Sequence, residues 1–156
     1  NQLKKKLVVI GSGGEEEERL KKLAGDTVEF LGRVSDEEME RYYSRAKAFL
    51  FPGIEDYGIT PVEAMSAGVP VLAFGKGGAL ETVQDGKTGL YFHDQTVSGL
   101  VHCIEERNGV AYSRQQIHDY SLNFSDEIFK GNFTNFLKDK LIECGQGQKI
   151  SERDYD

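Results

Sequence analysis

The sequence predicts an α/β fold, a parallel sheet with helices on both of its faces, and three observations point there. Short apolar runs alternate with amphipathic stretches as far as residue 92; the order is strand, helix, strand, helix; and from residue 95 onward helical patterns follow without a strand among them. At 156 residues the chain fits one domain with a core of its own. Its connections are right-handed by the general rule for parallel strands.

Leu7-Val8-Val9-Ile10 is the first strand, and Gly11-Ser12-Gly13-Gly14 turns it into a helix near 15–24. The acidic run Glu15 to Glu18 suits the positive end of that helix. Val28 to Leu31 is the second strand, followed by a helix near 36–46 in which Ser35 and Glu38 have capping-box spacing. Ala48 to Phe51 is the third strand. The helix near 61–67 has Thr60 as its expected N-cap, Pro61 at its first position and Glu63 completing a second capping box. Val69 to Phe74, a helix near 79–84 and Gly89 to Phe92 complete the alternation. Helices near 95–107, 113–121 and 126–143 follow; behind a Ser125 cap, Phe129, Phe133, Phe136, Leu137 and Leu141 recur at helical spacing and read as core or a docking face. The polar stretch 145–156 is expected to be disordered, leaving residues 1–144 as the folded unit.

Composition narrows the function. A hydrophobic share of 38% and a charged share of 29% are those of an ordinary soluble protein, and no apolar run approaches the ~20 residues of a membrane span. The formal charge of −7 and scattered basic residues oppose nucleic-acid binding. Cys103 and Cys144 are too few for a disulfide scaffold and lack zinc spacing, so buried or idle thiols in a reducing cytoplasm are expected. His93, His102 and His118 lie far apart with no obvious nucleophile, which suggests no hydrolytic triad.

Ligands of open α/β sheets collect at the carboxyl ends of the strands, so the loops there carry the functional question. After the first strand, a dinucleotide fingerprint would need Gly where Glu16 stands, and the acidic run would repel a pyrophosphate; a tight turn is the better reading. After the second, Arg33 and the Val34 backbone sit where a flat base could lie, although capping accounts for much of the motif. The third loop, Phe51 to Met65, is the most informative. Gly58 permits close approach, and backbone N–H groups near Gly58, Ile59 and Thr60 would face an anion helped by the helix dipole. Glu55 and Glu63 flank that anion site. A nucleoside diphosphate sugar explains two carboxylates beside a phosphate site, since each can accept hydrogen bonds from ribose or sugar hydroxyls. A solvated acid for Glu55 and a helix cap for Glu63 are the plainer alternatives. The fourth loop, Gly75-Lys76-Gly77-Gly78, is no P-loop but could wall a sugar pocket, with Lys76 turned to solvent and Glu81 serving either as a helix-start charge or as a contact.

The block Glu55-Asp56-Tyr57-Gly58-Ile59-Thr60-Pro61-Val62-Glu63-Ala64-Met65 resembles the signature of family 4 glycosyltransferases with the GT-B fold. Phe30 to Glu38 and Tyr43-Ser44-Arg45-Ala46 are similar to that family's base-side loop and helix; Ser66 to Val71, Gly77-Gly78, Glu81 and Asp85 to Gly89 follow in its order. The resemblance spans roughly residues 7–143. It implies a Rossmann-like donor-binding half of a two-domain enzyme that transfers a hexose, with retention and without a metal or other cofactor. By matching position, Glu55 is the catalytic candidate contacting the donor sugar, Tyr57, Gly58, Ile59 and Thr60 line the diphosphate and sugar, Glu63 takes the ribose, and Arg33 and Val34 face the base. The wording around Ile59 to Glu63 is most like mannosyltransferases using GDP-mannose, with UDP-sugars second. The acceptor, whether a glycan, a lipid-linked sugar or a small molecule, belongs to a domain outside these residues. The resemblance also implies an earlier strand whose loop carries an Arg and a Lys for the diphosphate. Without it, weak binding, no transfer by the 156 residues alone, and swapped or oligomeric states are expected. The full-length protein is expected in the cytoplasm, with peripheral association at the membrane as the alternative. A nucleotide-free regulatory module would leave the Glu55 and Glu63 spacing to chance.

Overall fold

The computed structural model describes residues 2–12 and 14–144, and the tail expected over 145–156 lies outside the described residues. The elements are β1 (Leu7–Ile10), α1 (Glu17–Leu23), β2 (Val28–Gly32), α2 (Asp36–Arg45), β3 (Phe49–Phe51), α3 (Ile59–Ser66), β4 (Val71–Phe74), α4 (Ala79–Thr82), β5 (Gly89–Phe92), α5 (Val97–Arg107), α6 (Arg114–Ser121) and α7 (Asp126–Glu143). The helix expected over 79–84 is one turn, because Val83 leaves helical geometry at φ −101°, ψ 137°. Beyond that turn the Val83 carbonyl is taken by the Tyr91 hydroxyl, which donates to it, while the Ala79 carbonyl accepts from Val83 N as the last bond of the helix.

All pairings between strands are parallel, in two pieces: β1 with β2, and β3-β4-β5 with β4 in the middle. In β4, side chains alternate between the two faces, as the two-residue period of a strand dictates. Val71 and Ala73 join Met65, Ala64 and Ile117 in one buried cluster, which brings in α3 and α6. Leu72 and Phe74 join Leu90, Phe92 and Cys103 in the other, which brings in α5. Helices therefore cover both faces of this sheet. The α3 end is secured by α6: Arg114 Nη2 donates to the carbonyl of Ala67 at 3.1 Å, and His118 Nδ1 meets the carbonyl of Ser66 at 2.6 Å. A cation at the negative end of a helix is the favourable arrangement.

The amino-terminal half is packed more thinly. Neither α1 nor α2 has a fully buried residue, and β1 is half-buried to exposed along its length. Burial is also absent from α7, whose Phe129, Phe133 and Phe136 are 65, 49 and 55% exposed; of the two readings for these aromatics, core is excluded. The Ser125 cap forms as expected, accepting from Ile128 N. Cys103 is buried and free, its thiol pushed up to about 11 chiefly by burial, and Cys144 is exposed and free. No helix among the described residues is long and apolar enough to cross a membrane.

Candidate functional site at the carboxyl ends of β3, β4 and β5

Phe51 ends β3, and the loop 52–58 leads into α3. The helix starts at Ile59 with Gly58 as N-cap, without a side-chain cap bond. This corrects the expected Thr60 cap, Pro61 at the first helical position and the Glu63 capping box. The reason is steric: Gly58 sits at φ +79°, where side chains are disfavoured, and a Cβ there would lie 3.0 Å from Phe51 Cζ. The turn it permits starts the helix early enough that Thr60 is second and Pro61 third. Pro61 loses no helical bond at that place, because first-turn N–H groups have no acceptor within the helix.

The loop carrying Glu55 is held from behind by the glycines of the next turn. Gly78 N donates to the Glu55 carbonyl at 2.8 Å. A Cβ on Gly78 would stand 2.4 Å from the Tyr57 carbonyl oxygen and 2.5 Å from that of Asp56. Gly77 and Gly78 thus seat the acidic loop through backbone contact, a role beyond that of a pocket wall. From the loop after β5, Gln95 Nε2 donates to the Pro52 carbonyl at 2.9 Å. Three loops at one end of the sheet are thereby interlocked. On their outer side Glu55, Asp56, Tyr57, Ile59, Thr60 and Glu63 are exposed. Glu81 is exposed as well, and Lys76 Nζ lies 5.4 Å from the centroid of the Phe74 ring.

After β2, the predicted capping box forms: Ser35 Oγ accepts from Glu38 N at 3.2 Å, and the Glu38 carboxylate accepts from Ser35 N at 3.3 Å. It fixes the entry to α2 immediately after Arg33, which is exposed, and Val34, which is half-buried. Within that helix, Tyr43 reaches across to α3 and its hydroxyl donates to Glu63 Oε2 at 3.4 Å. Burial, and then the charge of Glu63, push the Tyr43 hydroxyl up to about 12. Sequence reasoning missed this contact and that of Gln95, because neither periodicity nor capping patterns signal pairs 20 or 43 residues apart.

Among the described residues, no group of three or more His, Cys, Asp or Glu side chains is placed to hold a metal ion. A recess of about 570 Å³ lined by Lys4, Lys6, Asp26, Thr27, Val28 and Glu29 lies at the amino ends of β1 and β2. Its Lys6 is paired with Glu29 at 2.8 Å.

The family model described as glycosyl transferases group 1 matches residues 1–107. A GDP-mannose-dependent alpha-(1-6)-phosphatidylinositol monomannoside mannosyltransferase from Mycobacterium tuberculosis is 38% identical over 113 residues, which is 64% of this chain and 29% of that protein. An alpha-1,3/1,6-mannosyltransferase from Dictyostelium discoideum is 32% identical over 118 residues, 70% of this chain and 27% of that protein. Among solved structures, sucrose-phosphate synthase from Thermosynechococcus elongatus superposes with a TM-score of 0.73 at 25% identity, over 89% of this chain and 39% of that one. The chain thus spans less than a third of the length of these two mannosyltransferases.

Proposed function

The chain belongs to the glycosyl transferases group 1 family, and from that membership we propose that it is the donor-binding part of a sugar transferase that takes a nucleoside diphosphate sugar. The observation that carries the reading is the placement of Glu55 and Glu63, both exposed, on either side of one helix start whose cap is Gly58. The diphosphate lies against the N–H groups of Gly58, Ile59 and Thr60, at the positive end of α3. Glu55 and the backbone of Tyr57 meet the sugar, and Glu63 accepts from the ribose hydroxyls. The base rests against Arg33 and Val34.

Transfer proceeds with retained anomeric configuration and without a metal. Negative charge grows on the departing diphosphate and positive charge on the anomeric carbon. The fixed N–H dipoles at α3 stabilise the first, and Glu55 the second; such groups act strongly because they need no reorganisation during reaction. GDP-mannose is the preferred donor and UDP-sugars second, a choice supported by the mannosyltransferase relatives, one of them named for its dependence on GDP-mannose. The acceptor is held by a part of the whole protein outside these residues.

Calorimetric titration of GDP-mannose, UDP-glucose and NAD into the whole protein tests this. Saturable binding of a sugar nucleotide, with none of NAD, is expected. A whole protein that binds no sugar nucleotide overturns the donor-site reading.

A further inference from the structure

We propose that Tyr43 is a positioning residue for the ribose: its hydroxyl, donated to Glu63 Oε2, holds that carboxylate in the orientation that receives the nucleotide, so ribose recognition depends on the helix that follows the base loop. The inference rests on the donor-site reading above.

Glu63 is exposed and makes no cap bond at the start of its own helix, so nothing there restrains its side chain. An unrestrained glutamate samples several rotamers, whereas accepting from two adjacent ribose hydroxyls requires one. The bond from Tyr43 is long at 3.4 Å, but its donor is well anchored. The Tyr43 ring stands edge-on to Phe49 at 5.9 Å between centroids. Its carbonyl accepts from Arg114 Nη2 at 3.3 Å, and the same nitrogen donates to Ala67 at the end of α3. One guanidinium therefore ties together the helix carrying the donor and the helix carrying the acceptor. A hydroxyl whose loss of a proton is pushed up to about 12 stays an O–H donor throughout the physiological range. With Oε2 engaged, Oε1 is left for the diol. Because α2 opens directly after the base loop, that loop and the ribose acceptor are linked through one helix.

The test compares the affinity of GDP and of its 2′,3′-dideoxy analogue for the whole protein, for Tyr43→Phe, for Glu63→Gln and for the double variant. Tyr43→Phe keeps the ring against Phe49 and removes only the hydroxyl. It is expected to weaken GDP about three- to tenfold, the size of one lost hydrogen bond, and to leave the dideoxy analogue unchanged. The double variant should bind GDP no worse than Glu63→Gln alone, since Tyr43 acts through Glu63. Equal weakening of both nucleotides would show that Tyr43 only supports the fold, and GDP affinity equal to wild type would remove its role altogether. A wild-type protein that binds neither nucleotide would remove the donor-site reading and the role of Tyr43 with it. If wild type discriminates the two nucleotides and Tyr43→Phe does so equally, the positioning role alone falls.

Discussion

Glu55 and Glu63 are both exposed acids flanking one helix start, yet their anchoring separates their proposed roles. Glu55 stands on a loop whose backbone is fixed by Gly78, as a group acting on a reacting carbon requires. Glu63 stands on a helix and is restrained through Tyr43, which suits a contact remote from the bond being broken. In the whole protein, Glu55→Gln is expected to lower kcat by about two to three orders of magnitude, the usual loss for an electrostatic group at the reacting centre. Glu63→Gln should instead raise the donor KM more than it lowers kcat. Steady-state kinetics over donor concentration distinguish the two, and the reversed pattern would overturn the assignment. Because Glu63 makes no cap bond and glutamine still offers an oxygen to the Tyr43 hydroxyl, the substitution should shift stability by no more than about 0.5 kcal/mol, so a kinetic change reports binding.

At the scale of elements, the strand-to-helix turns do the positioning, and they do it through glycine. The turn after β4 approaches the loop after β3 so closely that its backbone leaves no room for a side chain at Gly78. Gly78→Ala is expected to push back the Glu55 to Tyr57 backbone, cost about 1–3 kcal/mol as overpacking does, and lower kcat with it. Gly53 lies on the same loop as Glu55, but a Cβ added there would meet nothing within 4 Å, so Gly53→Ala should leave stability and kcat near wild type. Denaturant unfolding together with turnover checks the pair; equal behaviour of the two variants would mean that the contact from Gly78 does not hold the loop. The capping box of α2 is readable from Ser35 and Glu38 because its partners lie three residues apart. The start of α3 is misplaced by the sequence pattern because Thr60, Pro61 and Glu63 fit a cap equally well, and only the turn at Gly58 decides the register.

Across the whole molecule, packing is uneven. Among the described residues, the buried ones run from Phe51 to Ser121 and surround the three-stranded sheet, while the β1-β2 pair and its helices contribute none. β4 is paired along both edges and buried at all four positions. Local opening follows buried contact density, so amide exchange should be slowest in β4 and fastest in β1, β2 and α1, whereas α2 and its C-cap pack Tyr43 and Ala46 against the core. Mass-resolved hydrogen exchange on the purified chain measures this. Uniform protection from β1 to β5 would mean that the two sheets open as one unit. The proposed donor site draws on both halves, the base loop from the thin one and the Glu55 loop from the packed one.

The sequence by itself determined the alternation of strands and helices, the parallel character of the sheet, the spacing of Glu55 and Glu63 and the family to which it points. These are local properties: strand and helix periods, glycine at turns and a motif of nine residues from Glu55 to Glu63 are all written within short windows. Only the tertiary structure decided that Gly77 and Gly78 seat the Glu55 loop, that Gln95 ties in the loop after β5, and that Tyr43 rather than a helix cap engages Glu63. It also decided that the aromatics of α7 lie on its surface. Contacts between distant segments depend on how elements stack, and stacking is fixed by the packing of the whole core.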